Sequence, residues 1–115
     1  MGKQILATLG LFLLTVPQGF AHAILLTAVP AANQSVRGPD VDIQLQFNCR
    51  IDSLRSRLTL ALPNRDNRSL PVRQSGPATL HSHIAGLPSG DYRLQWQVLA
   101  ADGHITRGEV PFQVR

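Results

Sequence analysis

The sequence predicts an all-β domain, a two-sheet immunoglobulin-like sandwich of seven strands, and three observations lead there. After residue 21 no stretch keeps an apolar period of 3.6 residues, whereas apolar and polar residues alternate with period two through most of the chain. Clusters of Gly, Pro, Asn, Asp and Ser break the alternating runs at near-regular intervals. The 94 residues from 22 to 115 suffice for one small domain, and they contain no repeat, low-complexity segment or linker.

The first element is a leader. Met1-Gly2-Lys3-Gln4 carries one positive charge, and Ile5 to Val16 is an uncharged, largely apolar run of twelve residues. Pro17-Gln18-Gly19-Phe20-Ala21 then breaks the run and places small residues, Gly19 and Ala21, at positions −3 and −1 of a cut after Ala21. A span of the hydrocarbon core needs about 20 apolar residues, so the pattern predicts a cleaved signal peptide over residues 1–21 rather than an anchor. Ala21-His22-Ala23 is itself an A-x-A pattern, so a cut after Ala23 is the competing expectation.

Seven strands are expected near residues 24–28, 41–48, 56–62, 69–73, 79–84, 91–100 and 105–114. Val41, Ile43, Leu45 and Phe47 alternate with Asp42, Gln44, Gln46 and Asn48. Leu58, Leu60 and Leu62 repeat the pattern, as do Tyr92, Leu94, Trp96 and Val98, and then Val110, Phe112 and Val114. Arg37-Gly38-Pro39, Pro63 to Asn67, Ser75-Gly76-Pro77 and Leu87 to Asp91 read as the turns between them. Tyr92, opening a long strand after Gly90-Asp91, is placed like the tyrosine corner of such sandwiches.

Composition narrows the function classes. Removing the leader takes the only lysine, and ten scattered arginines against seven acids leave a formal charge of +3. That pattern contains no basic stripe or helix of the kind nucleic-acid binding needs. The single cysteine, Cys49, excludes an intramolecular disulfide and reads as a small packed residue. No G-x-S-x-G motif, paired glutamates or reactive cysteine context suggests catalysis.

The histidines carry the chemistry. A chain starting at His22 holds a free amine and an imidazole on one residue, which close a six-membered chelate ring on a metal. If successive strands are antiparallel, the second, fourth and sixth connections lie at the end where the first strand begins. The sixth connection is Ala100 to His104, so the N-terminus and the "ADGH" loop are expected to be neighbours. Alone, Asp102-Gly103 is a two-residue type I′ hairpin turn followed by a surface histidine. With His22 at the same end, His104 offers a third nitrogen and Asp102 an anionic oxygen. Such a set suits Cu(II), which favours tetragonal N/O surroundings, and Zn(II) is the competing ion. His81 and His83, two apart on a strand, share a face opposite Leu80 and Ile84 and are expected to face solvent, with His81 nearer the N-terminal end.

At this point the sequence resembles the CopC family of periplasmic copper-binding proteins, over nearly the whole of residues 22–115. The likeness rests on the histidine after the cleavage point, "LLTAVPAANQSV", "PDVDIQLQF", "GLPSGDYRLQWQVLAADGH" and the closing "VPFQV". The most specific stretch joins a G-x-Y-x-x-x-W strand to a D-x-H motif. The resemblance implies a Greek-key β-sandwich over residues 22–115 that binds one Cu(II) per chain through His22, Asp102 and His104. It also implies a periplasmic monomer, in copper homeostasis or resistance, with a membrane copper transporter of the CopD type as partner. Some relatives hold Cu(I) in a methionine-rich loop. Here the corresponding stretch, residues 62–72, reads "LPNRDNRSLPV", and Met1 is the only methionine, so a Cu(II)-only member is expected.

Two other classes compete. A histidine-brace copper oxidoreductase acting on polymers needs an aromatic docking face, yet Phe47, Tyr92, Trp96 and Phe112 all fall on expected core faces. A metal-free immunoglobulin-like interaction domain follows if the mature chain starts at Ile24.

Overall fold

A computed structural model describes residues 22–115; the expected leader, residues 1–21, lies outside the described residues. Nine strands form two sheets: β1 (Leu25–Val29), β2 (Gln34–Val36), β3 (Val41–Phe47), β4 (Ile51–Ala61), β5 (Asn67–Leu70), β6 (Arg73–Gln74), β7 (Thr79–Ile84), β8 (Gly90–Ala100) and β9 (Ile105–Val114). One sheet has the order β1-β3-β7-β6 and the other β2-β9-β8-β4-β5, the crossovers of a Greek-key sandwich. No described residue is helical, so no described helix is long and apolar enough to cross a membrane.

The alternating residues meet between the sheets. Val41, Ile43, Leu45 and Phe47 are buried while Asp42, Gln44 and Gln46 face outward. From the other sheet come Leu58, Leu60, Tyr92, Leu94, Trp96, Val98, Val110, Phe112 and Val114, all buried. The four Phe, Tyr and Trp side chains among the described residues pair off. Phe47 meets Trp96 edge-on across the sandwich at 5.2 Å, and Tyr92 stacks on Phe112 at 5.6 Å. Each such pair adds about 0.5–1.5 kcal/mol beyond its burial. Gly108 is required beside them, because the Trp96 indole occupies the space that any Cβ there would enter. The tyrosine corner is present: Tyr92 Oη donates to the Pro88 carbonyl at 2.6 Å.

The structure departs from the seven expected strands in three places. One of the two extra strands comes from a split. The single strand expected over 69–73 is broken at Pro71, which has no N–H to give to a ladder. Its first part, β5, pairs with β4, and its continuation, β6, crosses to pair with β7. The other addition is β2, a three-residue strand inside the expected first loop. It pairs in parallel with the end of β9, and nothing local in Gln34-Ser35-Val36 distinguishes it from loop. Finally, β4 begins at Ile51, five residues earlier than expected. An irregularity between Asp52 and Arg57 interrupts its pairing with β8. There Asp52 accepts the Leu54 N–H, and Ser56 Oγ donates to the Asp52 carbonyl. The irregularity breaks the in–out alternation and leaves Leu54 exposed, so an alternation count misses this half of the strand.

Candidate metal centre at the N-terminal end of the sandwich

Three connections and the N-terminus meet at one end. Ile24 N–H donates to Asn48 Oδ1 at 2.7 Å and the Ile24 carbonyl accepts the Asn48 N–H at 3.0 Å. Ala101 N–H reaches the Arg50 carbonyl, and Ile51 N–H reaches that of Pro77. The chain start, the β3–β4 loop, the β6–β7 loop and the β8–β9 loop are thus tied together. The expected neighbourhood of the N-terminus and "ADGH" holds in spite of the missed strands. Both β2 and β6 continue the direction of the strand before them after changing sheets, so neither reverses the chain.

The β8–β9 turn is not the two-residue type I′ turn expected. Gly103 N–H bonds the Ala100 carbonyl, Ala100 N–H bonds the His104 carbonyl, and only Gly103 has positive φ, at 93°. This is a three-residue loop with glycine at the bulge position. It puts Asp102 inside the turn, where its carboxylate folds back on His104. Oδ1 accepts the His104 N–H at 3.1 Å, and Oδ2 lies 2.9 Å from His104 Nδ1. The His104 backbone N–H holds the Asp102 carboxyl below the usual carboxylate range, with His104 and His22 side chains adding to the effect.

His22 completes the group. Its ring lies edge-on to that of His104, with centroids 4.6 Å apart. The three residues singled out in the sequence therefore stand side by side. They do not form a ready-made cage: among the described residues no three His, Cys, Asp or Glu side chains converge on one metal position. In the full 115-residue chain His22 follows Ala21, so its nitrogen is a peptide amide rather than an amine.

His81 and His83 lie elsewhere. In the β3–β7 register His81 faces Gln44 and His83 faces Asp42, so both step away from the Phe47 end. At about 3.3 Å per residue His83 lies roughly 16 Å from that end. Cys49 is half-buried against the core, as expected of a packed residue. Two contacts escaped the sequence reading, the Asn48 clamp on Ile24 and the pairing of Asp42 with His83. Both depend on strand register, which alternation does not reveal. A cleft of about 840 Å³ opens at the opposite end between Pro63, Arg65, Gly90 and Tyr92, and no histidine, cysteine or methionine among the described residues lines it.

Fold and site together define a small Greek-key sandwich that gathers imidazole and carboxylate groups at the end where its first strand begins. Within that class the chain belongs to the CopC domain family, whose model matches residues 25–115. It is 32% identical over 106 residues to Protein YobA of Escherichia coli (strain K12), covering 89% of this chain and 86% of that protein. It is 26% identical over 105 residues to Copper resistance protein C of Xanthomonas campestris pv. juglandis, covering 84% and 82% of the two chains. Among solved structures, CopC from Methylosinus trichosporium OB3b aligns with a TM-score of 0.73 at 24% identity, covering 81% of this chain and 93% of that one. PcoC, a methionine-rich copper resistance protein from Escherichia coli, aligns at 0.66 with 26% identity, over 82% and 99%.

Proposed function

We propose that this chain is a periplasmic copper carrier without enzymatic activity. In this reading, residues 1–21 are removed as a signal peptide and the monomeric domain 22–115 binds one Cu(II) through His22, Asp102 and His104. The observation that carries the reading is the edge-on contact of His22 with His104, beside the Asp102 carboxylate. Membership of the CopC family, with relatives named for copper resistance, supports copper as the cargo.

Cleavage after Ala21 turns the His22 amide into an amine and closes the chelate with the ring nitrogen of the same residue. In the tautomer that donates Nδ1–H to Asp102, His104 presents Nε2 to the metal. An Asp102 oxygen held at Nδ1 stands on the far side of the ring from Nε2, so it orients the imidazole in the metal-free chain, and joining the Cu(II) set requires that contact to open. Two imidazoles, an amine and a carboxylate suit the tetragonal preference of Cu(II). The chain has no thioether besides Met1, which argues against a separate Cu(I) site. Buffering or delivery to a membrane copper transporter of the CopD type is the role such a site fits.

Mass spectrometry of exported protein is the direct test of the terminus, with a 94-residue chain starting His-Ala-Ile expected. A chain starting at Ile24 would remove the site. Cu(II) titration against a competing chelator then tests the ligands. His104→Ala should weaken the tight event more than about 100-fold, beyond the 10–100-fold typical of losing a supporting residue. His83→Ala should leave that event unchanged, and equal losses in the two variants would refute the assignment.

A further inference from the structure

The outer face of the four-stranded sheet holds a second group of metal-ligating side chains that the N-terminal site does not use. His81 and His83 project from the same face of β7, and Asp42 faces His83 directly from β3. Asp42 Oδ1 lies 2.6 Å from His83 Nδ1 and 3.8 Å from His81 Nε2, so one carboxylate oxygen stands between two imidazoles. His81, His83, Pro71 and Arg73 line a shallow cavity of about 290 Å³ beside them.

We propose that His81, His83 and Asp42 form a second, surface metal site, separate from the N-terminal end, that takes a borderline divalent cation such as Zn(II). Ligands about 2.0–2.1 Å from Zn(II) at tetrahedral angles stand roughly 3.3 Å from one another. The observed 2.6 and 3.8 Å bracket that value. As they stand the three side chains do not converge on one metal position, so closing the site takes rotation of exposed Asp42 and His83 and of half-buried His81. The backbone part of the problem is already solved, because strand alternation puts residues i and i+2 on one face and the ladder sets Asp42 opposite. Two neutral imidazoles and one carboxylate match the N/O donors Zn(II) accepts, with water in the remaining position. Arg73, the register partner of His81 on β6, brings a like charge that keeps the affinity modest.

The test is a Zn(II) titration followed by NMR of the histidine rings, on two samples. One is wild-type protein already carrying one equivalent of Cu(II), and the other is metal-free His104→Ala, which does not depend on the copper assignment. The His81 and His83 ring signals should move and saturate in both. His81→Ala, read at the His83 ring, and His83→Ala, read at the His81 ring, should each weaken the event at least about tenfold, the cost of losing one of two chelating nitrogens. Asp42→Asn should weaken it a few-fold. Ring signals that stay still in the His104→Ala protein, or an unchanged midpoint in His83→Ala, would overturn the second site and leave the copper reading untouched.

Discussion

At the scale of single residues, Tyr92 shows how one side chain serves the fold. Its ring is buried on Phe112 while its hydroxyl reaches the Pro88 carbonyl. Burial pushes its ionisation above the usual phenol value. A folded-state value above the unfolded one means the folded protein holds that proton more tightly. The resulting stability is complete below about pH 10 and is lost as pH rises toward the folded value. Tyr92 is the only tyrosine, so the effect can be isolated. Tyr92→Phe should lower stability at neutral pH by about 1 kcal/mol through the lost hydrogen bond. It should also flatten the loss above about pH 10 in urea-unfolding midpoints. An equally steep alkaline loss in the variant would assign it to other groups.

Single elements decide how the donor groups are presented, and the β8–β9 loop is the clearest case. Asp102 can fold back on His104 only because Gly103 takes the left-handed conformation at the bulge. A Cβ at Gly103 meets nothing within 4 Å, so the penalty for alanine comes from φ alone. Gly103→Ala should cost about 1 kcal/mol of stability. If the loop conformation positions the ligands, Cu(II) binding should weaken as well, about tenfold by titration. Unchanged copper affinity would mean that the two side chains find the metal whatever the loop does. The broken strand at Pro71 works in the same way on the other side of the molecule. By sending β6 across to β7 it sets Arg73 beside His81.

Across the whole molecule, the site end is assembled by contacts between segments far apart in sequence. Asn48 holds Ile24 at both its N–H and carbonyl, which fixes the direction of the chain start. Asn48→Ala should leave one Cu(II) per chain but reduce its affinity about three- to tenfold by loosening the chelating terminus. An unchanged titration would show that the terminus needs no clamp. One added glycine before His22 moves the amine off that residue, so the Cu(II) EPR spectrum of the extended protein should differ from that of the native one at matched pH. Identical spectra would remove the amine from the ligand set. Much of this was legible beforehand. Alternation named the core, because a side chain's face on a strand depends only on its position in the local sequence. The parity of the connections placed His22 with His104, and D-x-H marked the loop. Register was not legible, since hydrogen bonds between strands depend on backbone groups common to every residue. Only the tertiary structure could therefore decide that β2 joins β9, that Asn48 clamps Ile24, and that Asp42 stands opposite His83.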